Sequence, residues 1–158
     1  QADKCVKTDM SYNALRKGRF SEPNRAYFIT AVTKERRPIF AELHTARLLI
    51  REMRVLHDEE MVSSLAWVIM PDHLHWLFQL GDNVSLKKAV GLLKGRSSRS
   101  INCHLRQGGS LWQAAYHDHA LREEEDLREI ARYIVANPSR AGLVDSLADY
   151  PHWDAAWL

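Results

Sequence analysis

The sequence predicts an α+β domain of the ferredoxin-like, split βαβ class. Strand-like and helix-like patterns alternate in the order β-α-β-β-α-β, the second and third strands are separated by only a tight turn, and one more helical pattern follows. The expected product is an antiparallel sheet with helices on one face and the turn-linked strands as its central hairpin. A length of 158 residues supports one such domain with a core of useful size.

Residues 1–22 read as a polar, basic arm, and residues 23–158 as the single catalytic-sized domain. Met10-Ser11 resembles a translation start, which marks residues 1–9 as upstream or foreign sequence outside the fold. Ala26 to Thr33 is β-branched and aromatic and reads as the first strand, closed by the charged run into Pro38. Ala46, Leu49, Ile50, Met53 and Leu56 recur at helical spacing. The apolar run Leu65 to Met70 is a buried strand, and Pro71-Asp72 supplies the turn that follows, with the Asp side chain expected to bond back to the turn backbone.

Ser85 is a suitable N-cap for a second helix, whose inner stripe is Leu86, Val90, Leu93, Ser97, Ile101 and Leu105. Gly91 and Gly95 predict a kink or a close approach near its middle. Leu111-Trp112-Gln113 and Asp118 to Arg122 read as short extended pieces. Glu123 to Asp126 puts carboxylates at the start of a last helix with the stripe Leu127, Ile130, Ala131 and Ile134. Pro138 should end that helix at about Asn137, and the tail should dock through Trp153 and Trp157.

Composition excludes more than it selects. An apolar content of 46% with 27% charged residues is ordinary for a globular domain. No apolar run is long enough for a membrane span, and no apolar leader follows the first lysines. Cys5 and Cys103 suggest no disulfide framework and suit a reducing cytoplasm, the expected location, in association with the nucleoid. The net charge of +2 says little, but its distribution says more. Lys87, Lys88, Lys94, Arg96, Arg99 and Arg106 fall between Leu86 and Arg106 with no acidic residue among them. Arg16, Lys17 and Arg19 form a second basic group, and such local single-sign stripes are footprints for a polyanion.

The third strand carries the chemistry. Leu74, Trp76, Phe78 and Leu80 alternate with His73, His75, Leu77 and Gln79, so the two imidazoles project from one face, close enough to grip one ion together. A third ligand must come from elsewhere. Tyr133 and Asn137 stand four residues apart on the last helical pattern, one above the other on a face beside its apolar stripe. If that helix covers the sheet, Asn137 offers an amide oxygen to the ion and Tyr133 a phenol capable of covalent catalysis.

The stretches AYFITAVTKERRPIF, MPDHLHWLF, LWQAAYHDHALR and YIVANPSRAGLV together resemble the REP-associated tyrosine transposases. These belong to the insertion-sequence-200-like group of single-tyrosine HUH transposases. The resemblance runs from about Arg25 to about Trp153 and implies an HUH endonuclease-like fold. It matches the paired histidines to His73 and His75, the nucleophile to Tyr133, and the residue completing the metal site to Asn137, where some relatives carry Gln. Gln113, His119 and Arg122, with Trp112, match residues that recur in the family, and Tyr116 stands where relatives often have Phe.

The resemblance implies a metal-dependent single-stranded DNA endonuclease and strand transferase. It would act on REP-type hairpins through a 5′-phosphotyrosine intermediate, as a monomer or a homodimer. Imidazole ligands by themselves suit zinc or another transition metal; the resemblance implies Mg²⁺ or Mn²⁺. His119 or His117 is a candidate base for the phenol, and the lysine and arginine stripe a candidate grip on the DNA backbone. The alternative is a non-catalytic nucleic-acid-binding module on a ferredoxin-like sheet, which leaves the His-x-His strand without a task. A cupin-type metal enzyme would need many more strands, and a two-metal nuclease would need carboxylates that the sequence does not gather near the histidines.

Overall fold

The computed structural model describes residues 22–122 and 127–156. Its elements are β1 (Ala26–Val32), α1 (Leu43–Asp58), β2 (Val62–Met70), β3 (His73–Leu80), α2 (Leu86–Leu105), β4 (His117–Ala120), α3 (Leu127–Val135), the short α4 (Asn137–Arg140) and β5 (Trp153–Ala155). The strands form one antiparallel sheet in the order β4-β1-β3-β2-β5. The first four are the ferredoxin-like order that the sequence predicts, and β3 lies in the middle. The fifth is the chain's tail: Trp153 pairs with Val68 and Ala155 with Ala66, so the predicted docking of Trp153 takes the form of an added edge strand.

Strand alternation divides the interior in two. Tyr27, Ile29, Ala31, Leu74, Trp76, Phe78 and Leu80 project to one face and are buried under α1 and α2. Ala66, Val68, Met70 and Leu77 project to the other and are buried under Ala131, Ile134 and Val135 of α3, with Leu121 and Ala155. This corrects the expectation of helices on one face only. The physical reason is that β2 and β3 are apolar on both faces, so a single helical layer would leave Val68, Met70 and Leu77 in water.

The sequence cues for the second helix hold in part. Ser85 caps α2, its hydroxyl accepting from the Lys88 amide at 3.1 Å. Gly91 and Gly95 produce neither a kink nor a close approach: the helix runs unbroken over 20 residues, and a Cβ at either glycine would meet nothing within 4 Å. Of the expected extended piece Asp118 to Arg122, the first three residues are strand, within His117–Ala120. Leu111 to Gln113 runs on along the β1 edge, with a Thr33–Trp112 bridge and the Gln113 amide donating to the Val32 carbonyl at 2.9 Å.

The last helix departs from expectation at Pro138. α3 stops at Val135, and Asn137 opens a new turn with Pro138 in its first positions, where the missing N–H has no duty. Tyr133 and Asn137 therefore do not share one continuous helix. The basic arm with Arg16, Lys17 and Arg19, the run Glu123 to Asp126 and Trp157 lie outside the described residues.

Gly81 is required where β3 ends, because a Cβ there would stand 2.3 Å from the Glu60 carbonyl oxygen and 2.9 Å from that of Met61. Gly81→Ala should cost about 1–3 kcal/mol in urea unfolding. Gly91→Ala, on an exposed helix surface, should instead gain up to about 1 kcal/mol. Equal effects of the two would show that the approach at Gly81 is not tight.

Candidate active site

β3 begins at His73, directly after the Pro71-Asp72 turn, so the site is held by the most enclosed strand of the sheet. His73 pairs with Val32 and Met70, and His75 with Thr30 and Val68, which puts both imidazoles on the face that α3 covers. The two Nε2 atoms approach to 3.2 Å. Two ligands on one ion at about 2.0–2.1 Å, at octahedral or tetrahedral angles, are roughly 2.8–3.4 Å apart. The pair therefore has the spacing of ligands to a shared cation.

Each ring is fixed from behind. Asp72 Oδ1 lies 2.7 Å from His73 Nδ1, and Thr30 Oγ1 lies 2.8 Å from His75 Nδ1. With Nδ1–H donated to these oxygens, both Nε2 lone pairs face the same point, the tautomer that metal ligation needs. Asp72 is itself held: Arg36 Nη1 donates to Oδ2 at 3.1 Å, from a turn in which Glu35 and Arg36 both have left-handed backbone angles, φ 59° and 50°. The carboxyl suffers from burial, but its hydrogen bonds and the charges of His73 and Arg36 more than compensate, holding it below the usual carboxylate range. His75 is pushed down to about 4, chiefly by burial and then by the neighbouring His73 and Arg140, so it is neutral at physiological pH.

The predicted turn role of Asp72 is thus corrected. Its carboxylate bonds to an imidazole and a guanidinium, because the left-handed turn at Glu35-Arg36 brings the cation to it.

Among the described residues, no group of three or more His, Cys, Asp or Glu is arranged to hold a metal. Among the described residues a third donor is then of another kind, such as an amide. Asn137 is half-buried at the first position of α4.

Of the four described tyrosines, Tyr133 is the exposed one, at 58%. Tyr27 and Tyr116 are in the core. The Tyr150 hydroxyl donates to the Ile69 carbonyl, and burial pushes its phenol up to about 12. The Tyr133 ring lies against Arg140, whose Cζ is 3.9 Å from the ring centroid.

The remaining predicted positions separate. His119 pairs with Phe28 on β1, and His117 with Thr30, so both histidines stand at the edge of the face that carries His73 and His75. Gln113 and Arg122 are exposed, while Trp112 is buried and donates to the Ser97 hydroxyl at 3.0 Å. The basic stripe lies elsewhere: α2 packs on the opposite face of the sheet. Lys87, Lys88 and Arg99 are exposed there. Lys94 instead donates to the Gln113 and Ala115 carbonyls at 2.8 and 3.2 Å, and Arg96 pairs with Glu59 at 3.1 Å. These two are engaged in tying the fold together.

Thr30, Arg36 and Arg140 escaped the sequence reading. Strand alternation alone would have put Thr30 on one face of β1, but only the register brings it to His75. Arg140 had a visible signal, since seven residues is two helical turns from Tyr133.

Asp72→Ala should weaken binding of Mn²⁺ about 10–100-fold in calorimetric titration. Asp72→Asn, which keeps an acceptor for Nδ1–H, should lose less. Wild-type affinity in Asp72→Ala would show that the carboxylate does not orient His73.

The model of the family described as transposase, IS200-like, matches residues 22–137. A putative REP-associated tyrosine transposase of Haemophilus influenzae is 27% identical over 142 residues, covering 80% of this chain and 77% of the relative. A REP-associated tyrosine transposase of Escherichia coli is 31% identical over 88 residues, covering 54% of this chain and half of that protein. Among solved structures, a REP-associated tyrosine transposase bound to a REP hairpin superposes with a TM-score of 0.72 at 22% identity, over 85% of this chain and 79% of the other. A putative transposase from Deinococcus radiodurans superposes with a TM-score of 0.54 at 25% identity, over 71% of this chain and 88% of the other.

Proposed function

The chain belongs to the IS200-like transposase family, and from that premise we propose that it cuts and rejoins single-stranded DNA beside REP-type hairpins, with Tyr133 as nucleophile. The observation that carries this reading is the convergence of His73 and His75 Nε2 at 3.2 Å, on the sheet face covered by the helix that carries an exposed tyrosine. A hairpin substrate is supported by the REP hairpin bound to a structural relative.

The donor set fits a divalent cation, with His73 and His75 as imidazole ligands and Asn137 as the amide that completes them; Mg²⁺ or Mn²⁺ is the expected ion. Because all three ligands are neutral, a bound dication keeps its full charge to offset the negative charge that builds on the phosphate in the transition state.

The chain's own residues do the rest. The Tyr133 phenol gives up its proton, and its oxygen forms a bond to phosphorus. The bond to the 3′-oxygen breaks, and that oxygen leaves with the bonding pair and takes up a proton as a 3′-OH. The phosphodiester is conserved as a 5′-phosphotyrosine, so an incoming 3′-OH reverses the same steps and releases Tyr133. His117 and His119, at the edge of the same face, are candidates to carry the proton. Lys87, Lys88 and Arg99 lie behind the sheet, so DNA held there reaches the cleavage face only by passing around an edge. Their contribution is to affinity rather than to the chemical step.

A labelled hairpin oligonucleotide with a single-stranded flank, incubated with Mn²⁺ and run on a denaturing gel, tests the assignment. Wild type and Tyr116→Phe should give a covalent adduct, and Tyr133→Phe none. An adduct of normal yield from Tyr133→Phe would remove it as nucleophile, and DNA binding without an adduct from any variant would favour a binding module.

A further inference from the structure

Arg140 ends the short helix that Asn137 opens and lies against Tyr133. In a continuous helix the Tyr133 carbonyl would accept from the Asn137 amide. The break before α4 leaves that bond unmade, and Arg140 Nη1 takes the carbonyl at 2.7 Å. This anchor lays the guanidinium over the Tyr133 ring, with Cζ 3.9 Å from the centroid.

Three arginines of the fold are matched to carboxylates, Arg25 to Glu22, Arg36 to Asp72 and Arg96 to Glu59. Arg140 has no ion-pair partner among the described residues, and one backbone bond uses one of its five N–H donors. The result is a backbone-anchored cation with no carboxylate partner among the described residues, held against the exposed phenol. An anion is what such an arrangement lacks.

We propose that Arg140 is a catalytic residue of strand transfer, binding the non-bridging oxygens of the scissile phosphodiester beside Tyr133 and stabilising their charge as the phenol oxygen attacks. This rests on the reading of Tyr133 as nucleophile. A planar guanidinium suits the task because it presents paired donors to two phosphate oxygens, which an ammonium does not. The position follows from the sequence as well. Pro138 interrupts the helix, the interruption frees the Tyr133 carbonyl, and the freed carbonyl fixes the arginine two turns on.

A helix-capping role would need no substrate, and the two roles part when charge is removed from the phosphate. Single-turnover adduct formation would be followed for the full chain, Arg140→Ala, Arg140→Lys and Tyr133→Phe. The substrate is a hairpin oligonucleotide carrying either a phosphodiester or a methylphosphonate at the linkage cut in the unmodified strand. Arg140→Ala should be slowed on the order of 10²–10³-fold on the phosphodiester. Arg140→Lys, which keeps the charge but not the fork, should lie between it and wild type, with an unchanged melting temperature.

On the methylphosphonate, where a charged oxygen is replaced by methyl, wild type and Arg140→Ala should differ by only a fewfold. Equal slowing on both substrates, or Arg140→Ala within a few-fold of wild type on the phosphodiester, would overturn the proposal. Tyr133→Phe reports on the nucleophile separately: its failure to form an adduct beside an unimpaired Arg140→Ala would sink the arginine's role and leave the tyrosine's intact.

Discussion

The constraint on which the site depends is the pinning of two imidazoles from behind. His73 and His75 converge because Asp72 and Thr30 hold the far nitrogen of each ring, and because both rings stand on the central strand, where backbone movement is most restricted. A neutral His75 and a charged, arginine-paired Asp72 make the two ligands unequal. His73 is backed by a carboxylate and is the stronger electron donor, while His75 is backed by a hydroxyl. The preorganisation resides in the sheet register, so a bound cation would find the rings already aimed.

The sheet also separates tasks by face. One face is an ordinary apolar core under α1 and α2, with Trp76, Tyr27 and Phe40 fully enclosed. The other is apolar around Ala66, Val68, Leu77 and Leu121 and gives way to imidazoles toward the hairpin turn. α3 seals the apolar part with Ala131, Ile134 and Val135, and turns Tyr133 outward. A helix that buried its tyrosine would stabilise the core and lose a nucleophile. An exposed aromatic on a helix otherwise committed to packing is the local cost of the reading proposed above.

Much of this was legible in the sequence because it depends on periodicity. Alternation in β3 gave the shared face of His73 and His75, helical spacing gave the buried stripes, and Ser85 marked its cap. What escaped depends on pairing between distant segments. Thr30 meets His75 only through the β1–β3 register, and Asp72 turns from its own backbone because Arg36 arrives from a left-handed turn. The side of the sheet that α2 would cover was invisible for the same reason, and with it the distance between the basic stripe and the histidines. Lys94 resembled a DNA contact because its spacing was right, but two loop carbonyls claim it. Pro138 was recognised as a breaker and misplaced by two residues, since a proline is tolerated inside the first turn of the next helix.

The most direct test of the central claim is anomalous diffraction from crystals of the protein grown with Mn²⁺. The account predicts a single strong peak bonded to both His73 Nε2 and His75 Nε2 at about 2.0–2.3 Å, with the far nitrogens still held by Asp72 and Thr30. A peak that engages only one of these nitrogens, or manganese bound elsewhere while the imidazoles bond each other, would contradict it.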